Sequence, residues 1–272
     1  VAINNLATDY HLDVSLFERL ISGGVEHVTL EYQRRMRPNI SRLLRSFYPK
    51  LKDHDCVFSR KNVEGIKDNV FFIDHRSEER RIFDSKSKVN IEESHFVVEL
   101  YLYICYGIQD ITILTMYRAQ MEHIKNALNK KIEELLSSCN IVPDVLMAPH
   151  SSQVVCVDDY QGEESEIVIL SLVRNTFPEK DMESIGFLEN PNRVCVALSR
   201  ARLGLYIFGN ADLLASKSKL WETILNNLRE YDGVGNHLTL VCPNHFQTET
   251  KIFDANGFNE VVEGGCNQKC QH

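Results

Sequence analysis

The 272-residue sequence contains no G-x-x-x-x-G-K-[ST] phosphate loop and no acidic strand end that would complete a Walker-type pair. Without that cradle and its lysine, a chain cannot by itself hydrolyse a nucleoside triphosphate by the P-loop route. G-x-G-x-x-G is missing as well, which excludes the dinucleotide-binding turn of a Rossmann dehydrogenase. No run of about 18 apolar residues occurs, so no membrane-spanning helix is predicted. The start lacks a basic region followed by an apolar block, and no secretory signal is read there. Basic charge is also scarce: 38 acidic residues against 30 basic give a net charge of −8. That balance argues against a surface that attracts nucleic acid everywhere and confines any phosphate contact to local clusters. The first residue is Val1 rather than methionine and the last ones are GGCNQKCQH, so the sequence reads as a piece of a longer protein.

What is present is core-forming material. Hydrophobic residues make up 43% of the chain, enough to build one large domain with an appendage. Apolar runs at 25–30, 69–74, 111–117, 153–157, 166–172 and 204–209 predict buried parallel strands, and helical patterns fall at 91–106, 118–138, 192–201 and 220–231. Parallel strands need crossover helices, so this alternation predicts an α/β fold: a doubly wound parallel sheet with helices on both faces. Segments 76–90, 140–152 and 175–184 are polar and turn-rich and read as long loops. After Tyr231, DGVGNH reads as a linker. The expected division is a lead-in over 1–24, the α/β domain over 25–231, and a linker with a zinc-binding segment over 232–272.

Several arginines stand out. Arg34, Arg35 and Arg37 precede Pro38, which opens a helix in PNISRLLRSFY, and Arg200 and Arg202 lie near the end of the 192–201 helix. Guanidinium groups are the usual means of stabilising charge on a transferring phosphoryl group. A solvated basic turn is the plain alternative for RRMRP, and Arg202 is read as a bridge to an acidic neighbour. YQRRMRP, MYRAQ and DDYQGEE each follow a predicted strand, at the carboxyl end where open parallel sheets bind ligands. Eight cysteines without a secretory signal read as reduced thiols or metal ligands. Cys242 and His245 form a C-x2-H pair and Cys266 and Cys270 a C-x3-C pair, a spacing that closes a tetrahedron around Zn²⁺. His272 is a substitute ligand, and unligated core thiols are the alternative.

Four segments in one order carry a resemblance: YQRRMRPNI, ITILTMYRAQ, VVCVDDYQGEESEIVILSLVRN and GFLENPNRVCVALSRARLGLYIFGN. Over residues 1–231 the chain resembles the second RecA-like domain of superfamily 1 RNA helicases of the up-frameshift type. MRP, YQGEE and VCVALSRA, followed by VCPNH and EGGC, are similar to the branch that carries NFX-type zinc fingers. The resemblance implies that ATP and Mg²⁺ are held by a preceding RecA-like domain, joined through a lead-in helix in 1–24. Gln33 and Arg35 match the family's glutamine-x-arginine, with Arg35 reaching the γ-phosphate. Arg34 stands where many relatives stack an aromatic ring on adenine. Gly162 presents its backbone to the nucleotide, Glu164 lies near the ribose or the catalytic water, and Arg200 matches the arginine finger. Thr115, Tyr117 and Asp159 are assigned to the RNA side of the cleft, while Met116 replaces a common proline and Cys156 a threonine that contacts RNA phosphate. RNA, zinc, a cytoplasmic location and roles in RNA surveillance, small-RNA pathways or antiviral defence are further implications. Met116 and Cys156 keep open a second reading, a non-cycling RNA-binding or protein-docking platform.

Overall fold

The computed structural model describes residues 10–11, 14–82, 87–105, 110–138, 154–175, 185–242, 248–258 and 261. In chain order the elements are α1 (Leu16–Ser22), β1 (Tyr32–Gln33), α2 (Pro38–Ser41), β2 (Lys52–Asp53), β3 (Val70–Asp74), β4 (Arg80–Arg81), β5 (Lys88–Val89), α3 (Ile91–Cys105) and β6 (Ile111–Thr115). They continue with α4 (Arg118–Ser138), β7 (Val154–Cys156), β8 (Ser165–Ser171), α5 (Pro191–Leu198), β9 (Ala201–Gly209), α6 (Ala211–Lys217), α7 (Lys219–Arg229), β10 (Val234–Gly235), β11 (Leu238–Val241) and β12 (Glu249–Ile252). β10, β3, β9, β8, β6 and β7 lie side by side in that order as a six-stranded sheet in which every pairing is parallel.

Alternate residues of the central strands feed two cores, because successive side chains of a strand point to opposite faces. Phe72, Val168, Leu170, Leu205 and Ile207 join α5, α6 and α7 on one face. Phe71, Ile113, Ile167, Ile169, Tyr206 and Phe208 join α3 and α4 on the other. α7 shows why: Trp221, Ile224, Leu225 and Leu228 recur at helical spacing, and all four are buried. The doubly wound α/β expectation therefore holds, with α4 covering the predicted 118–138. Among the described residues no helix is long and apolar enough to cross a membrane.

The structure corrects several expectations. Residues 25–30 form no strand; Val28 and Leu30 are 90% and 87% exposed, and neighbouring β1 pairs only with β2 in a separate two-stranded sheet. A short apolar run looks the same in sequence whether it fills a core or faces a partner. DGVGNH is more than a linker, since Val234 and Gly235 pair with Phe72 and Ile73 as an edge strand. The β11–β12 hairpin beyond it sends Leu238, Leu240 and Ile252 into the α3 and α4 core. Within 76–90, β4 and β5 pair antiparallel. Most of 140–152 and 175–184 lies outside the described residues.

A buried polar network closes the carboxyl end of the sheet. Glu93, on α3, is buried and accepts from Ser171 Oγ and from the Val173 N–H (3.1 Å), with His75 Nε2 2.8 Å away. Val173 is buried at φ +69°, and the Arg174 N–H donates back to Leu172 O at 2.7 Å, which makes a γ-turn of positive φ. A β-branched residue there is strained. We predict that Val173→Gly is more stable than Val173→Ala by about 1 kcal/mol, because only glycine relieves the left-handed backbone. Denaturant titration of both variants checks this; alanine as the more stable replacement would show that the turn stores no strain.

Candidate functional site

The motif YQRRMRP folds around one side chain. Gln33 Oε1 accepts from the N–H groups of Arg35 (3.0 Å) and Met36 (2.8 Å), while its Nε2 donates to Met36 O (2.7 Å) and Asp53 Oδ1 (2.5 Å). Met36 and Arg37 turn inward and are buried. Arg37, grouped above with arginines facing a polyanion, instead donates to Leu203 O (3.1 Å), Lys61 O (3.3 Å) and Asn62 Oδ1 (2.9 Å). Burial pulls its guanidinium below the ordinary value. Pro38 then starts α2, as expected for proline at a first helical position. Arg35 is left projecting, and Arg34 is exposed.

α5 delivers the second arginine. Asn190 caps it by accepting from the Asn192 and Arg193 N–H groups (3.0 and 3.2 Å), Pro191 is its first residue, and it ends at Leu198. Arg200 and Arg202 are therefore not helical: Arg200 occupies the turn after the C-cap Ser199, and Arg202 is already on β9. Strand β8 fixes the turn, since Arg200 O accepts from Ser165 N at 3.1 Å.

Both guanidiniums converge on Ser199. Arg35 Nη1 donates to Ser199 O (3.1 Å) and its Nε to Glu164 Oε2 (2.5 Å). Arg200 donates through Nη2 to Ser199 Oγ (2.7 Å), through Nε to Val196 O (3.1 Å) and through Nη1 to Glu163 O (3.1 Å). Burial and then the neighbouring Arg35 charge push the Arg200 guanidinium below its ordinary value. The Glu164 carboxylate that pairs with Arg35 also has Arg202 Nε 3.8 Å from its other oxygen. That is the acidic bridge anticipated for Arg202, made from a strand rather than a helix. Gly162, at φ +93°, leaves open space where a Cβ would stand, so its main chain is accessible. Beside Arg200, Tyr48 Oη lies 3.7 Å from Cys195 Sγ and walls an open recess of about 280 Å³ with Leu30, Phe47, Pro49 and Leu51. The chemistry of this donor set, two adjacent guanidiniums of which only one is paired with a carboxylate, suits a polyanion.

The cluster stands at the amino ends of β8 and β9, not at the carboxyl ends where it was sought. Residues 157–164 run back along the sheet between β7 and β8, which carries QGEE away from the strand it follows. Sequence reading also missed Ser199, although its place beside Arg200 was visible.

Thr115, Tyr117 and Asp159, which the resemblance assigned to RNA, do not form one surface. Thr115 and Tyr117 are buried: Thr115 Oγ1 accepts from Tyr117 N (3.3 Å), and Tyr117 Oη donates to Ile185 O (3.4 Å). Burial raises the Tyr117 phenol and the thiol of buried Cys156. Asp159 alone is reachable, 3.3 Å from Arg118 Nη2. For zinc, Cys242 is buried at the end of β11, and His245, Cys266, Cys270 and His272 lie outside the described residues. Among the described residues no three metal-ligating side chains cluster.

The family model described as an AAA domain, AAA_12, matches residues 12–212. The chain belongs to this family, the superfamily 1 helicases of the up-frameshift type. It is 41% identical over 273 residues to NFX1-type zinc finger-containing protein 1 of Mus musculus, covering 99% of this chain and 13% of that protein. It is 38% identical over 241 residues to the helicase required for RNAi-mediated heterochromatin assembly 1 of Schizosaccharomyces pombe (85% and 22% covered). To a regulator of nonsense transcripts 1 homolog of Arabidopsis thaliana it is 30% identical over 231 residues (80% and 17% covered). The chain thus spans from 13% to 22% of the length of these helicase-family relatives.

Glu164 competes with any anion for Arg35. Glu164→Gln should change stability by less than about 1 kcal/mol, as expected for a part-exposed pair, and should strengthen binding of inorganic triphosphate several-fold. Calorimetric titration at low salt reads this; weaker binding would place the carboxylate on the attractive side of the site.

Proposed function

We propose that the chain is the second RecA-like half of an ATP-dependent RNA helicase motor. ATP and Mg²⁺ sit, in this reading, on a preceding RecA-like domain of the same protein. The observation that supports it best is the convergence of Arg35 and Arg200 on Ser199 beside Gly162 and Glu164. The nucleotide supplies a transferable phosphoryl group, and the ion neutralises part of its charge. Arg35 exchanges the Glu164 carboxylate and the Ser199 carbonyl, and Arg200 its neutral carbonyl and hydroxyl partners, for phosphate oxygens, while Gln33 holds the turn that aims Arg35 and Gly162 offers its main chain. Arg34 presents a planar cation to the base.

The exposed apolar side chains Leu16, Phe17, Leu20, Val25, Val28 and Leu30 support a partner domain against this segment, since apolar exposure on this scale marks an interaction surface. Two arginines that bind phosphate only when the halves meet give closure a differential affinity for the triphosphate, which lets hydrolysis reopen the cleft around RNA. Asp159 and Arg118 belong to the RNA half of this reading, with Thr115 and Tyr117 as the support beneath them. Zinc on Cys242, His245, Cys266 and Cys270 completes it.

In the full protein, Arg35→Ala and Arg200→Ala should each lower ATP turnover by roughly 10²-fold or more while RNA binding persists. Turnover kinetics and filter binding measure the two. Unchanged turnover in both variants would favour a platform that does not cycle ATP. The isolated chain should show no turnover, and metal analysis after dialysis should find about one zinc per chain.

A further inference from the structure

At the end of the sheet opposite the arginine cluster stands an aromatic side chain that the motor reading leaves unused. Phe187 is 43% exposed, although Ile185 and Leu188 on either side are buried. An exposed phenylalanine alone needs no explanation; the way this one is held does. Its ring packs 5.4 Å from the ring of Tyr117, at 49°. The Arg193 guanidinium lies 4.6 Å from the Phe187 ring centroid. Arg193 is itself fixed by two hydrogen bonds to Asp158, from Nε at 2.7 Å and Nη2 at 2.9 Å. Below the ring, Gly186 is at φ +68°, and a Cβ there would stand 3.2 Å from Tyr117 Oη. The main chain is thus pressed onto Tyr117, leaving the ring little room to fold inward.

The surroundings define the ligand. Tyr117 follows β6 directly and Asp158 follows β7 closely, so the ring stands at the carboxyl ends of these strands, where open parallel sheets receive ligands. Arg118, 71% exposed at its side chain, adds a second cation whose pair with Asp159 a phosphate can replace. A rigid aromatic face beside a cation is the construction that holds single strands without regard to sequence, because every unpaired base offers a π-face. Resting on the reading of the chain as half of a nucleic-acid motor, we propose that Phe187 is the stacking surface for an unpaired base of single-stranded RNA, with Arg118 meeting the neighbouring phosphate. α5 joins this surface to the other site. Arg193 lies in its first turn and Arg200 two residues past its end, and a helix of this length spans about 12 Å.

The test is photocrosslinking of the intact protein to single-stranded oligouridine carrying 5-iodouridine, with the attachment site mapped by mass spectrometry. Attachment at Phe187 is expected. By fluorescence anisotropy, Phe187→Ala should bind about 5- to 100-fold more weakly and Phe187→Trp about as well as the parent. Arg118→Ala should reduce the slope of affinity against salt by about one. Circular dichroism of Phe187→Ala confirms that the fold is kept. Crosslinks confined to other residues, parental affinity in Phe187→Ala, or no RNA binding at all would each overturn the assignment, the last two leaving the ring to a protein contact. Failure of the motor reading looks different: ATP turnover indifferent to Arg35 and Arg200 while the Phe187 crosslink persists.

Discussion

Two guanidinium groups are held against one serine, and the arrangement around them depends on that proximity. Like charges at such proximity repel, and the structure offsets that with the Glu164 carboxylate and with the carbonyls of Val196, Glu163 and Ser199. Ser199 and Val196 are local to Arg200, but the remaining partners come from segments distant in sequence. Glu164 comes from the approach to β8, Ser199 and Arg200 from the turn into β9, and Arg35 from a loop more than a hundred residues earlier. The parallel pairing of β8 with β9 brings them together, with Ser165 hydrogen-bonded to Arg200. The sheet is therefore the part of the protein that gathers scattered arginines into one cluster.

The opposite end of the sheet is organised by burial. Glu93, His75, Ser171 and the strained turn at Val173 satisfy one another inside the fold, where an unpaired group would cost far more than at the surface. Tyr117 belongs to the same end and carries the exposed ring of Phe187 on its back. One end of the domain thus gathers the part-buried arginines and the other a network of paired charges, and α5 spans the distance between them.

How much of this could be read in advance differs by element. α4 and α7 announce themselves because their apolar residues repeat at helical spacing over several turns, and β6, β8 and β9 because buried parallel strands are apolar on both faces. The turn at Pro38 was equally plain. Residues 25–30 misled because their apolarity serves an exposed surface, and DGVGNH because two residues of edge strand carry no periodicity. Arg37 and Arg35 differ by two positions in the same motif, yet one is buried on carbonyl groups and the other projects. Nothing in their chemistry separates them; the hydrogen bonds of Gln33 do.

The sequence by itself determined the fold class, the family and the residue types at the site, because hydrophobic period and ordered motifs are properties of the chain. Tertiary structure alone decided which arginines face outward, that they gather at the amino ends of β8 and β9, and that Thr115 and Tyr117 lie beneath the surface instead of on it. The physical reason is that burial and convergence depend on pairings between strands distant in sequence, and no local pattern records which neighbour a strand will choose.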